Sequence, residues 1–360
     1  MTPLGREIAR MIALDGPVTV ERYMALCLSH PAHGYYMTRD PLGLEGDFVT
    51  APEISQMFGE LVGLWAAQVW LDIGAPSPFR LVEFGPGRGT LMADALRAVR
   101  AAPGFLEAVS VDLVETSPIL TARQQATLAA ATVPVRWLRD VSEVPDGPAI
   151  YLANEFFDAL PIRQFVRAAG GWRERLVGLG GENGLAFGLA PDADPTITVS
   201  GREGATLEWQ ATGNAVMSDI ARRIVSQGGA ALAIDYGHLR SGLADTLQAI
   251  KNHAFTDVLA EPGEADVTAH VDFAQLGAAA RAQGARVHGP TSQGAFLRAM
   301  GIDARAQALS TARPDRAAEI EAARMRLTGD GEEHMGALFK AIAVTAPDGP
   351  APPGFDAVTG

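Results

Sequence analysis

Three clusters in this 360-residue chain have the residue types and spacing to do chemistry. The first runs from Leu81 to Thr90 and reads L-V-E-F-G-P-G-R-G-T, with Glu83 two residues before the alternating glycines Gly85, Gly87 and Gly89 and Pro86 among them. Glycine lacks a Cβ, so such a loop turns sharply and lets backbone approach a ligand closely. The second is V-D-L-V-E, an apolar run closed by the carboxylate of Glu115. The third, N-E-F-F-D, follows another apolar run and sets Asn154, Glu155 and Asp158 around two phenylalanines. Together they offer a cofactor loop, a carboxylate for hydroxyl groups, and polar groups able to orient an acceptor and manage a proton.

Spacing separates the possible cofactors. A dinucleotide fingerprint needs G-x-G-x-x-G, and position 90 is Thr; a P-loop needs G-K-[ST], and this loop has no lysine. Nothing in it is built for a phosphate. The E-x-G-x-G-x-G pattern resembles motif I of class I S-adenosylmethionine methyltransferases, with Glu83 facing a cationic or hydroxyl-bearing ligand. Glu115 lies one strand and helix further on, where α/β nucleotide folds place a carboxylate on ribose hydroxyls. Ser117 and Pro118 suit the N-cap and first turn of the next helix. Asp140, closing W-L-R-D, is expected by analogy to reach the adenine amine.

Methyl transfer from a sulfonium is an in-line displacement that requires alignment and proton management. Carboxylates suit a guanidinium acceptor, which they hold in bidentate contact while offsetting its charge. Phe156 and Phe157 can exclude water there. The structural alternative makes Asn154 and Asp158 turn caps and leaves Glu155 solvated. Asp47, in a loop after a glycine, is a further catalytic candidate. Thr50 and Glu53 read as a capping box for the following helix, and Asp235 as either structural or substrate-facing. His30 and His33 sit in a Pro/Gly turn without the paired spacing of a metal site, and no metal is expected.

The elements that position these residues alternate. Apolar runs near 80–84, 110–115, 133–138, 149–153, 229–235, 285–289 and 339–345 predict seven strands separated by helical patterns, a Rossmann-like α/β fold with helices on both faces of the sheet. Residues 1–78 read as mostly helical, with Ile54, Met57, Phe58, Leu61, Val62, Trp65 and Val69 forming an amphipathic stripe. Residues 162–212 read as a pair of inserted hairpins, and the Pro/Gly-rich tail from Pro347 to Gly354 as disordered.

Composition bounds the function. The net charge of −13 argues against nucleic acid and is compatible with a basic protein partner. The single cysteine, Cys27, excludes internal disulfides and is expected in the core. No run approaches a membrane span, and the first residues lack a secretory signal's apolar region, so a cytoplasmic location is expected.

Finally, G-D-F-V-T-A-P-E-I-S-Q-M-F-G-E, E-F-G-P-G-R-G-T-L-M-A-D and N-E-F-F-D-A-L-P together resemble the MidA-like methyltransferase family. The likeness continues through T-L-Q-A-I-K, E-P-G-E-A-D-V-T-A-H-V-D-F and G-P-T-S-Q-G-A-F-L. It implies S-adenosyl-L-methionine (SAM) as cofactor and, from a mitochondrial relative, symmetric dimethylation of an arginine on a respiratory complex I core subunit. The implied division is a helical region over 1–78 and a methyltransferase domain over 79–360, with insertions at about 162–212 and 238–272. A small-molecule acceptor and a non-catalytic assembly chaperone are the competing readings.

Overall fold

The structure is a computed structural model that describes residues 1–40, 50–180, 184–331 and 333–355. The chain divides into two compact units, one drawn from Val49–Phe157, Asn214–Leu239 and Asp272–Gly360, the other from Met1–Phe48, Asp158–Gly213 and Arg240–Val271.

The first unit is built on a sheet whose main path has seven strands, matching the apolar runs: β1 Phe79–Phe84, β2 Val109–Val114, β3 Val135–Leu138, β4 Ala149–Asn154, β5 Gly229–His238, β6 Arg286–Ser292 and β7 Phe339–Thr345. Their order is β6-β7-β5-β4-β1-β2-β3. Neighbours from β3 to β5 pair in parallel, and only β7 runs against its neighbours β5 and β6. Parallel strands covered on both faces need apolar side chains throughout, and Ile150, Tyr151, Leu152 and Ala153 of β4 are accordingly all buried.

This order creates the place where a ligand belongs. The chain leaves β1 toward β2 and β3 on one side, then returns to β4 on the other, so the direction of winding reverses between β1 and β4. Open α/β sheets bind ligands outside the carboxyl ends of their strands at such a reversal. The Gly85 loop leaves β1 there, and Asn154 ends β4 there.

Helices Gln56–Asp72, Thr90–Ala98 and Pro118–Thr127 accompany these strands. In the first, Met57, Phe58, Leu61, Val62, Trp65 and Val69 are buried, as the stripe predicts, whereas Ile54 ends the separate short helix Ala51–Ile54 and is half-buried. The tail departs from expectation. Pro353 accepts a hydrogen bond from Trp65 Nε1 at 3.1 Å, and buried Phe355 packs on Phe296 with ring centroids 5.4 Å apart. Pro/Gly content disfavours regular structure there, yet an aromatic anchor and one backbone carbonyl suffice to dock the segment.

In the second unit, Arg163–Ala168, Gly171–Leu179 and Leu185–Leu189 form consecutive antiparallel pairs, and Thr206–Trp209 adds to the first of them. Val18 and Thr19 pair with Val177 and Leu176, which ties the N-terminal helices to this sheet. A small sheet of Gln248–Lys251, Ala254–Thr256 and Asp266–Thr268 completes the unit. Cys27 is fully buried in its core beside Tyr23, whose hydroxyl donates to the Val258 carbonyl at 2.6 Å.

Candidate active site

The carboxyl ends of β1, β2 and β3 lie level: Gly85 N–H donates to the Val114 carbonyl and Glu115 N–H to that of Leu138. The loop then turns tightly, with Gly85, Gly87 and Gly89 at φ of +56°, +53° and +82°. These left-handed values favour glycine. At Gly85 a second constraint acts, since a Cβ would lie 3.1 Å from Phe156 Cδ2. Gly89 opens the helix Thr90–Ala98.

Glu83 is 3% exposed and its Oε2 has no hydrogen-bond partner among the described residues. Burial without compensation pushes its carboxyl up to about 8. On neighbouring β4, Asn154 Oδ1 is likewise buried without a donor. Two orphan acceptors on adjacent strand ends at the winding reversal call for a ligand that brings donors.

Glu115 is differently placed. Its Oε1 accepts from Ser117 N–H at 2.7 Å and its Oε2 from Gln124 Nε2 at 3.0 Å. Burial still raises its pKa, against those hydrogen bonds. Ser117 caps the helix Pro118–Thr127 through Leu120 N–H, as its position predicts. Asp140 lies exposed just beyond β3, where it accepts from Ser142 N–H at 2.8 Å; hydrogen bonds from Ser142 hold its carboxyl below the usual range.

The turn after β4 is held from several sides. Glu155 has φ of +51°, unusual for a residue with a Cβ. Its N–H donates to the Ile234 carbonyl, and its Oε1 accepts from Ala51 N–H at 2.9 Å and from Asn154 Nδ2 at 3.0 Å. Fully buried Asp235 accepts from Phe156 N–H at 3.1 Å and Phe157 N–H at 2.9 Å through one oxygen, and from Tyr236 N–H through the other. Its role is therefore structural. Phe156 packs on Phe84 and Phe157. Asp158 belongs to the second unit, where it is buried and its carbonyl accepts from Ala269 N–H at 3.1 Å. Asp47 lies outside the described residues.

One local expectation is corrected. Thr50 makes no side-chain cap; a short helix ends at Ile54, and Ser55 caps the next one through Met57 N–H. Glu53, released from capping, accepts instead from the Thr90 hydroxyl behind Gly89. The segment therefore touches both the end of the glycine loop, through Glu53, and the turn after β4, through Ala51. Capping residues carry the same letters as tertiary contacts, and two serviceable caps stand five residues apart.

The family model for S-adenosyl-L-methionine-dependent methyltransferases matches residues 61–291. The chain belongs to this MidA-like family. The methyltransferase is 41% identical to the mitochondrial protein arginine methyltransferase NDUFAF7 of Mus musculus, over 91% of this chain and 80% of that protein. It is 40% identical to that of Homo sapiens, over 86% and 76%. A crystal structure from Burkholderia thailandensis with S-adenosyl-homocysteine (SAH) bound superposes with a TM-score of 0.84 at 29% identity, covering 97% of this chain and 93% of that one. SAM is thus the methyltransferase's cofactor, and the residues present fit such a ligand: among the described residues the buried acceptor Glu83 Oε2 lacks a donor beside a glycine loop that permits close approach. Among the described residues no helix is long and apolar enough to cross a membrane.

Proposed function

We propose that this enzyme methylates arginine side chains on a protein. The observation that carries the proposal is the turn after β4, where Glu155 is held in left-handed backbone and its Oε1 accepts from Asn154 Nδ2, fixing both side chains beside the glycine loop. Left-handed backbone in a non-glycine residue costs about 1 kcal/mol or more and persists where the surroundings enforce it. Relatives that share about two-fifths of the sequence and are named protein arginine methyltransferases support the same acceptor.

In this mechanism Glu83, Gly85, Pro86, Gly87, Gly89, Glu115 and Asp140 hold the cofactor: Glu83 takes the ammonium, Glu115 the ribose hydroxyls, and Asp140 the adenine amine. Bound SAM supplies a methyl group on a sulfonium. Asn154 and Glu155 accept hydrogen bonds from the guanidinium and align one nitrogen with that methyl. A carboxylate of the turn would receive the proton that the methylated nitrogen releases. Asp158 and Asp47 stand as further catalytic candidates on their sequence positions. Phe156, against the loop, keeps water from the reacting atoms.

The finer assignment is symmetric dimethylation of a respiratory complex I core subunit. A cytoplasmic location is proposed as well, in keeping with the acidic balance of the chain. Proteomic mass spectrometry of cells with and without the enzyme tests the acceptor. One or more arginine sites should lose dimethylation when it is removed. An unchanged arginine profile would point to a small-molecule acceptor.

A further inference from the structure

One fully buried polar side chain at the site belongs to a residue outside the three sequence clusters. Gln124, on the helix Pro118–Thr127, is fully buried. Its Nε2 donates to the Gly87 carbonyl at 2.8 Å and to Glu115 Oε2 at 3.0 Å, while its Oε1 accepts from Trp137 Nε1 at 2.9 Å. One amide thus joins the middle of the glycine loop, the carboxylate after β2 and the strand β3.

The partners fix which end of the amide is which. A carbonyl and an unprotonated carboxylate only accept, and an indole N–H only donates, so the flipped amide would make none of the three bonds. Glutamate would set an acceptor against Gly87 and Glu115. Lysine or arginine could not accept from Trp137. A neutral side chain with two donors and one acceptor at this reach is a glutamine.

We infer that Gln124 is the positioning residue of the cofactor site, holding Glu115 and the Gly87 carbonyl in the arrangement that receives the ribose end of SAM. The inference rests on the assignment of Glu115 to the ribose hydroxyls. Gln124 also opposes the effect of burial on Glu115, because a donor to a carboxylate favours its charged form. Loss of the amide therefore both frees Glu115 to rotate and makes it easier to protonate, and a protonated Glu115 is the poorer acceptor for hydroxyl groups.

The test is calorimetric titration of the full chain with SAH between pH 5.5 and 8.5. Gln124→Met should weaken binding roughly tenfold to a hundredfold at pH 8, the range for losing hydrogen bonds to a charged group. The ratio of variant to wild-type Kd should then grow as pH falls. The other charged groups on the surrounding elements, Arg80 and Glu83 on β1, Arg88 in the loop, Asp94 and Arg97 on the helix Thr90–Ala98, Asp112 on β2, Arg123 on the helix Pro118–Thr127, Arg136 on β3 and Arg139 and Asp140 beyond it, are common to both proteins, so their effects cancel to first order in that ratio. Trp137→Phe, which keeps Gln124 but frees its amide to turn, should shift affinity the same way by a smaller factor, and it carries the test if Gln124→Met fails to fold. A folded variant whose Kd stays within twofold of wild type overturns the inference. So does a ratio that is constant with pH, the signature of a merely loosened helix. If wild type binds SAH but Glu115→Ala binds equally well, the ribose assignment fails instead.

Discussion

Glu83→Gln should stabilise the fold while weakening the cofactor site, and the stabilisation should depend on pH. The buried carboxyl titrates at about 8 in the folded chain against an ordinary 4.5. A raised acid binds its proton more tightly folded than unfolded, so Glu83 costs nothing below pH 4.5. As pH rises the cost grows by about 1.4 kcal/mol per unit, until it levels off near pH 8. The order of magnitude is about 3 kcal/mol at pH 7 and about 5 kcal/mol above pH 8. Glutamine keeps the shape and removes the titration. Urea unfolding of both proteins at pH 5, 6, 7 and 8 reads the difference, which should open steadily in favour of the variant. The same substitution removes the proposed partner of the ligand's ammonium, so SAH affinity should fall by about tenfold or more. A stability difference that is flat with pH would refute the reasoning, because it would mean that Glu83 is not held as an uncompensated acid.

Glu115→Ala should weaken SAH binding by about tenfold or more, measured by calorimetry, with the fold intact. Asp235→Asn presents an amide to the N–H groups of Phe156 and Phe157; about 1–3 kcal/mol of stability should be lost, with labelled-methyl turnover falling more than SAH affinity. Glu60, buried, accepts from Arg305 at 2.7 and 2.9 Å and from Arg97 at 3.0 Å. Burial opposes its ionisation, yet the two guanidinium groups hold its carboxyl below the ordinary range. Its contribution is therefore present above the unfolded value and lost as pH falls through the folded one. Glu60→Ala should cost about 1–3 kcal/mol at neutral pH by chemical unfolding, because the arginines left behind are partly exposed and regain water, and that difference should shrink in acid.

The seven strands were legible because a sheet covered on both faces demands unbroken apolar runs, and β4 and β5 supply them plainly. The tight turn after β1 was legible for a related reason: glycines at alternate positions permit the left-handed backbone found there. What could not be read is tertiary. Asp235 and Gln124 act through backbone groups and side chains far away in sequence, and neither lies in a pattern that announces it. Glu53 satisfied a capping motif that the fold then gave to Ser55. The pairing of Val18 and Thr19 with a strand more than 150 residues later leaves no local trace either.

The central claim is that SAM binds at the β1 loop and that Asn154 and Glu155 deliver an arginine to it. The most direct measurement incubates wild type and Glu155→Gln with SAM carrying an isotopically labelled methyl and with protein extract from cells lacking the enzyme, and locates the label by tandem mass spectrometry. The account predicts label on arginine nitrogens with wild type, and none with Glu155→Gln at an SAH affinity within twofold of wild type. Label confined to other residues or to small molecules, or undiminished labelling by Glu155→Gln, would contradict it.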